Sequence, residues 1–293
     1  MTISELEKSI SDLPFEIPSG LLIGSEAGAE YYLSDSRPPP GLWSRLRAQH
    51  RRSGLWPVFL RGHDSGLDHP WVDEDPRYGR SRHPDDYDAG VVLLQQWQQL
   101  AESNFLLPRG RANFFSRTAP FDGIWPGLAA PAAPEVSPEA AADELAGRLI
   151  RDPGARLGLM PVERGADVPV AAEWWAGEEL DTGAAAAVLR SWEDRFGARV
   201  VQLGYDSLEL SVAAPARDLD QAVRVAAEHF ALCVENVGRE RDALSHYAEE
   251  LVGARHWSFW WSREEPDWLD WLDEDQDQDE DEDELRPTDE ETL

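Results

Sequence analysis

The chain has 293 residues, of which 42% are hydrophobic, and its 57 acidic residues against 27 Lys and Arg give a net charge of −30. This length supports one large core or two modest cores of about 100–150 residues each, and thirteen tryptophans exclude a fully disordered chain. A surface of this sign repels nucleic-acid phosphates, so we expect no nucleic-acid partner. It suits a basic protein partner instead.

The N-terminus and the cysteine content favour the cytoplasm. Residues 1–8 lack the basic and apolar regions of a signal peptide, and no apolar run approaches the ~18 residues that span a bilayer. Cys233 is the single cysteine, so no disulfide forms within the chain, which fits a reducing compartment. We therefore expect a cytoplasmic protein without membrane association.

Residues 1–128 predict a small α/β region. Its apolar patterns predict strands at 15–17, 21–23, 31–33 and 55–60, and helices at 42–52 and 88–103. Pro57 favours an edge position or a strand end, because proline cannot donate to a sheet ladder. The polar residues 61–88 predict a long loop.

The Ala/Pro-rich residues 129–137 predict a linker to a second domain at 138–263. That domain's elements follow in the order helix 138–150, strand 156–162, helix 183–196, strands 199–203 and 207–213, helices 219–233 and 240–252, and strand 257–261. From residue 156 this is the order of a split-βαβ, ferredoxin-like sandwich with one extra helix. The predicted fold class is α+β, with an antiparallel or mixed sheet and helices on one face.

Residues 264–293 predict a disordered acidic tail. They contain 17 Asp or Glu and one Arg. Adjacent carboxylates repel one another, and the segment has too few apolar residues to offset an ordering cost of about 1–2 kcal/mol per residue.

The helix at 183–196 ends in a distinctive motif, which reads Val188-Leu189-Arg190-Ser191-Trp192-Glu193-Asp194-Arg195-Phe196-Gly197-Ala198. This motif resembles the most recognisable motif of a bacterial family called domain of unknown function 4253. Companion segments resemble the family at 156–167, 206–213 and 226–237, so the resemblance covers roughly residues 155–261. The family has no established activity, and the resemblance therefore implies a domain without implying a function.

Several charged residues of this region are candidates for a binding site. They are Arg190, Glu193, Arg195, Asp206, Glu228 and His229. The competing interpretation is structural: Trp192 and Phe196 anchor the helix in the core, Gly197 ends it, and Arg190 pairs with Asp194 one turn later.

An enzymatic alternative uses four of the same residues. An unfamiliar hydrolase or metal-dependent enzyme would need Glu193, Asp206, Glu228 and His229 to meet within about 3–5 Å of a common point. His229 and Cys233 are four residues apart on one helix and could supply two metal ligands, but no second pair has matching spacing. We therefore predict neither a metal site nor a cofactor.

The loop around residue 65 offers a further metal hypothesis through His63, Asp64, Asp68 and His83. A solvated loop is the favoured interpretation, because long polar loops need no ligand.

The common catalytic motifs are missing from the sequence, including phosphate-binding glycine loops, zinc-protease motifs and nucleophile elbows. The leading hypothesis is a non-catalytic intracellular binding protein. A specific version of it is an immunity-type protein that masks a basic toxin surface. The enzyme described above is the alternative. A third interpretation makes residues 138–263 a structural module and places the function in the first half.

Overall fold

Seven strands form one mixed sheet in the residues that this computed structural model describes, which are 1–24, 30–62, 71, 82–103, 114–174, 180–237 and 243–261. The strands are β1 (Gly20–Gly24), β2 (Glu30–Ser34), β3 (Trp56–Arg61), β4 (Arg156–Met160), β5 (Arg199–Gly204), β6 (Ser207–Ser211) and β7 (His256–Trp260). The helices are α1 (Ile3–Ser11), α2 (Leu42–Ser53), α3 (Ala89–Ser103), α4 (Phe114–Arg117), α5 (Pro138–Leu149), α6 (Val168–Ala171), α7 (Thr182–Phe196), α8 (Leu219–Leu232) and α9 (Leu244–Leu251). The predicted tail 264–293 and the loop candidates His63, Asp64 and Asp68 lie outside the described residues.

Strand β3 lies at the centre of the sheet, whose order is β1-β2-β4-β3-β5-β6-β7. It pairs antiparallel with β4 and parallel with β5, while the other neighbouring pairs in this sheet are antiparallel. All residues of β3 except Arg61 are buried, as are all residues of β5 except Arg199. Because successive side chains point to opposite faces, both faces of the sheet are covered at its centre.

One face of the sheet carries α1 and α2. Leu157 of β4 packs with Leu6 of α1 and Leu42 of α2. The pairing register continues this face across the sheet, in order, through Phe59, Gln202, Glu209 and Ser258. Helix α5 contacts α2, β5 and β6, and the Asp143 carboxylate of α5 accepts two hydrogen bonds of 2.8 Å from Arg47 of α2.

The opposite face carries α7 and α8. Phe259 follows Ser258 in β7 and therefore points to this face, where its ring stacks on Trp192 of α7 with centroids 5.3 Å apart. Phe230 of α8 belongs to the same buried cluster. The predicted α+β class and mixed sheet are confirmed, but the prediction of helices on one face is wrong, because α1 and α2 occupy the second face.

The ferredoxin-like arrangement predicted for the C-terminal half is also wrong. It requires β4 to lie between β7 and β6, with β5 on the far side of β6. In the observed sheet β4 instead pairs with β2 and with β3 from the first half, and β7 lies at the edge beside β6. The element order was predicted from local patterns, whereas the insertion of β3 depends on pairing between residues about 100–140 positions apart.

Both halves of the chain contribute to one compact unit, Met1–Trp261. The predicted boundary at 129–137 therefore falls between strands of the same sheet. Pro57 is the second residue of β3, a central strand, so of the two predicted positions the strand end is the one observed. The pairing of β3 with β5 spans only Phe59 to Arg61, so the missing N–H of Pro57 removes no hydrogen bond from that ladder.

The ends of α7 and α8 follow local sequence signals. The Asp181 side chain accepts hydrogen bonds from Gly183 and Ala184 at the start of α7, and Gly197 ends the helix with φ 60°, a left-handed conformation that glycine adopts without steric cost. Asp218 caps α8 by accepting the Gln221 N–H at 2.9 Å.

Two local predictions in the first residues were wrong. Residues 15–17 form no strand, and α1 was not predicted although Thr2 and Glu5 form a capping box at its start. No helix among the described residues combines the length and apolar character that crossing a membrane requires.

Candidate functional site

Helices α7 and α8 share a buried ion pair at the centre of the predicted motif. The Arg195 guanidinium of α7 donates to both carboxylate oxygens of Glu228 in α8, at 2.8 Å to Oε1 and 2.6 Å to Oε2. The Glu228 side chain is 0% exposed and that of Arg195 is 12% exposed. A two-pronged arginine–carboxylate pair fixes orientation as well as charge.

Two further donors complete the hydrogen bonding of Glu228. The Trp192 indole N–H donates to Oε2 at 2.7 Å, and the Ala129 backbone N–H donates to Oε1 at 2.7 Å. The Ala129 carbonyl accepts from Arg195 at 2.9 Å. The ion pair therefore binds both backbone polar groups of one residue, and each carboxylate oxygen already has two donors.

Ala129 belongs to a segment that we call the strap, residues 126–135, which contains no helix or strand. Further hydrogen bonds hold the strap at both kinds of backbone group. Its carbonyls accept side-chain N–H groups: Pro126 from Arg224, Ala130 from Gln221 and Ala133 from Arg217. Its N–H groups donate to backbone carbonyls: Ala132 to Arg195 and Glu135 to Ala213. A segment predicted as a linker is thus fixed along α7 and α8.

Trp192 connects the ion pair to an aromatic cluster under the same helices. Besides stacking on Phe259, its ring makes edge contacts with Trp257 and His229 at centroid distances of 5.6 and 4.9 Å. Trp192 is 0% exposed. Its predicted burial in the core is therefore confirmed.

His229 lies inside this cluster and is 0% exposed. Its Nδ1 atom lies 2.9 Å from the Tyr247 hydroxyl, which also accepts the Asn236 side-chain N–H at 3.1 Å. Its Nε2 atom has no hydrogen-bond partner in the described part of the chain. Burial, with a smaller effect of the Arg195 charge, lowers the pKa of His229 to about 3, so the imidazole is neutral in the folded protein near pH 7.

Cys233 caps the C-terminal end of α8. Its thiol donates to the Trp260 carbonyl at 3.1 Å and lies 3.5 Å from the Asn236 side-chain oxygen. Burial is the main reason that the pKa of this thiol is raised well above its usual value. No group of three or more His, Cys, Asp or Glu side chains in the described residues could hold a metal ion.

A second charged cluster lies on the outer side of α7. Arg190 donates to both oxygens of Asp167, at 2.5 and 2.9 Å. Glu193 accepts the Ala166 N–H at 3.3 Å and lies within 4 Å of Arg164 and Arg199. These contacts tie α7 to the turn that follows β4.

The predicted i, i+4 pair of Arg190 with Asp194 is replaced by longer-range pairs. Asp194 instead pairs with Arg164 at 2.5 Å. Arg190 pairs with Asp167 and with Asp85, and Asp85 lies in the turn that begins after His83.

Asp206 lies apart from both clusters, in the turn between β5 and β6. Its Oδ2 atom accepts the Trp260 indole N–H at 3.0 Å, and its carbonyl accepts the Trp261 N–H at 2.8 Å. The four side chains of the enzymatic hypothesis thus occupy different surroundings: Glu228 pairs with Arg195, His229 with Tyr247, Glu193 with arginines of another surface, and Asp206 with Trp260. No hydrogen bond or ion pair in the described residues directly joins any two of these four side chains.

The comparison with protein families decides what this region is. Residues 156–262 match the DUF4253 family. Its model is described as a domain of unknown function, and the match confirms the resemblance predicted from the motif around Trp192. Comparisons with curated proteins and with solved structures found no match.

The DUF4253 region contains β4 to β7 and α6 to α9, but it does not contain β3 or the strap. Two neighbours of its central residues therefore come from outside it: β3 completes the sheet between β4 and β5, and Ala129 completes the hydrogen bonding of Glu228. Residues outside the DUF4253 region therefore complete both its sheet and the hydrogen bonding of its buried ion pair.

Sequence reasoning missed several residues that make these contacts. They are Ala129, Asn236, Tyr247 and Trp260. Alanine 129 contributes only backbone groups, so its side chain carries no signal. The alternation of Trp257, Phe259 and Trp261 correctly predicted a strand, and in the structure the same alternation places Trp260 on its exposed face.

Proposed function

We propose that this chain is a non-catalytic protein of the bacterial cytoplasm that binds a basic protein partner through its acidic surface. The observation that carries the proposal is how the charged groups are used. The candidate site residues Arg195, Glu228 and His229 bond to partners inside the fold. The chain nevertheless has a net charge of −30. An acidic surface of this size accelerates association with a basic protein by electrostatic steering.

The charges of the two clusters support a structural role for the candidate site residues. Arg190 and Arg195 each bind a carboxylate through two hydrogen bonds, which leaves them little capacity for a ligand. Exposed carboxylates without an ion pair occur elsewhere on the described surface, for example Glu163 and Glu249. A partner of opposite charge would contact such groups.

An immunity-type role is a specific form of this proposal, in which the basic partner is a toxin whose active surface is masked. Its support is the same charge complementarity, since a neutralising protein gains from rapid association. Co-expression with the partner should then protect cells from it. Unchanged toxicity of the partner in the presence of the bound chain would exclude the immunity-type form alone.

A pull-down tests the general proposal. The full chain is immobilised and exposed to lysate of its own cells at about 50 mM and about 500 mM salt, where screening lengths differ severalfold. We expect one or more basic proteins to be retained at the low salt concentration and lost at the high one. Recovery of only neutral or acidic proteins, or of none, would contradict the proposal.

A further inference from the structure

Trp260 is the one exposed tryptophan among the described residues, with 53% of its surface accessible. It lies in β7 on the face opposite to the Trp192 cluster, because β7 alternates between buried and exposed residues. Its direct cross-strand neighbour is Ser207 of β6. This short side chain leaves the indole ring uncovered on the sheet surface.

One hydrogen bond of the ring and two of the neighbouring backbone position Trp260. Its indole N–H donates to Asp206 Oδ2 at 3.0 Å, and its own carbonyl accepts the Cys233 thiol at 3.1 Å. The next residue, Trp261, donates its N–H to the Asp206 carbonyl. An aromatic ring that is already fixed loses little conformational entropy when it binds a ligand.

Carboxylates dominate the surroundings of the ring. Asp206 uses only Oδ2 for the indole, and its Oδ1 atom has no partner in the described part of the chain. Glu209 lies on the same face one pair further along β6, where it accepts from Ser258 at 2.9 Å and contacts His256 at 2.6 Å. In the described part of the chain, no ion pair or cation–π contact joins a lysine or arginine to Trp260 or Asp206.

We propose that Trp260 and Asp206 form the contact site for an arginine or lysine side chain of a basic protein partner. The flat face of an indole attracts a cation, and a free carboxylate oxygen beside it can accept a hydrogen bond from the same group. This inference rests on the proposed function, which is the binding of a basic protein partner. It adds that the partner binds at the surface of β6 and β7.

Tetra-arginine is the probe for the site, because it is short and carries the expected group. Trp260 is observed through its indole N–H cross peak in a ¹⁵N-labelled full chain, assigned by its loss in Trp260→Phe. At constant ionic strength we expect this cross peak to shift in a saturable way with tetra-arginine and not with tetra-glutamate. Carboxylates elsewhere in the chain can bind the probe without moving this cross peak, so a constant peak position overturns the proposal.

Variants measure the contribution of each group by calorimetric titration with the same probe. Trp260→Ala should weaken binding by about 2- to 30-fold, the range of a cation–π contact. Asp206→Asn keeps an oxygen for the indole N–H but removes the charge, and it should weaken binding severalfold. Glu163→Gln removes one exposed carboxylate far along the sequence and serves as the matched control, for which we expect unchanged binding.

The outcomes separate this inference from the proposed function. If a basic partner is captured by the full chain and binds Trp260→Ala as tightly as the native protein, the site is wrong and the function stands. If no basic partner is captured, the function is wrong, whatever tetra-arginine does. A Trp260 cross peak that shifts with protein concentration alone would assign the surface to a second copy of the chain and overturn the site.

Discussion

Arg195 and Glu228 form a two-pronged ion pair whose four remaining hydrogen bonds involve Trp192, Ser191 and both backbone groups of Ala129. The pair lies on adjacent helices and fixes a residue 66 positions before Arg195. Removing one partner of a buried pair leaves an uncompensated charge, which costs more than the pair itself contributes. The contacts therefore assign these two residues a role in positioning the strap.

A double-mutant cycle measures this coupling. Glu228→Ala and Arg195→Ala should each lower the free energy of unfolding by about 3–5 kcal/mol, the usual loss when one half of a buried pair is removed. The double variant should lose clearly less than the sum of the two, because neither charge is then left alone. Urea denaturation followed by circular dichroism gives the three values.

An exposed pair supplies the control for this cycle. The Asp194 side chain, which pairs with Arg164, is 68% exposed. Asp194→Ala should therefore lower the free energy of unfolding by no more than about 1 kcal/mol. Additive losses in the Arg195 and Glu228 cycle would show that the two residues act independently and would contradict the positioning role.

Trp192 is expected to be a major source of stability. Trp192→Ala removes its ring from the cluster of Trp257, Phe259 and His229 and should lower the free energy of unfolding by about 3–5 kcal/mol. Trp192→Phe retains most of the packing and should lose less, although Glu228 then lacks the indole donor. A loss below about 1 kcal/mol for Trp192→Ala would be incompatible with its complete burial.

The burial of His229 predicts a dependence of stability on pH. The pKa of His229 is about 3 in the folded protein against about 6.5 in an unfolded chain. Between these values the unfolded chain binds a proton that the folded chain does not, so stability falls as the pH is lowered from about 6.5 towards 3. This residue contributes a slope of up to about 1.4 kcal/mol per pH unit.

Comparison with a variant isolates that slope from the titration of other groups. His229→Phe keeps an aromatic ring in the cluster, and its free energy of unfolding should fall less steeply between pH 6.5 and 4.5 than that of the native protein. His246→Gln alters an exposed histidine and should retain the native slope. Equal slopes for the native protein and His229→Phe would refute the assignment.

The place of β3 predicts that the second half does not fold alone. A fragment of residues 138–263 lacks the strand that separates β4 from β5, so the facing edges of both strands lose their partners. We expect it to unfold without a cooperative transition, while a fragment of residues 1–263 shows one. A cooperative transition of the shorter fragment, by calorimetry, would mean that its strands can pair in another order.

Cys233 is expected to be unreactive in the folded protein. It is 1% exposed, and its raised pKa keeps the thiol protonated, whereas the thiolate is the reactive form. Ellman's reagent should therefore modify it slowly in buffer and rapidly in urea. Rapid modification of the native protein would show that the end of α8 opens readily.

The elements that could be predicted from the sequence are those determined by neighbouring residues. Helix α7 was predicted within one residue of its observed start, because its apolar residues recur at helical spacing and Gly197 ends it. The hairpin of β5 and β6 was predicted for the same reason. The sheet order was not, because the pairing of β3 with β5 joins residues 143 positions apart, and no local pattern contains that information.

The role of Glu228 shows the same limit at the candidate site. In the sequence it is a carboxylate beside an apolar helix face, which is compatible with a ligand, a catalytic acid or a buried pair. The choice depends on Arg195 and on the backbone of Ala129, 99 positions earlier. Trp192 was predicted to be buried from its helical spacing, but the indole bond to Glu228 depends on how α7 and α8 pack.

The association rate of the full chain with the basic partner recovered in the pull-down tests the central claim most directly. We expect stopped-flow measurements to give a rate constant that falls by about tenfold or more when salt rises from about 50 to 500 mM, because screening removes the attraction between opposite charges. A rate constant that does not change with salt would contradict the claim that this acidic protein acts by electrostatic binding of a basic partner.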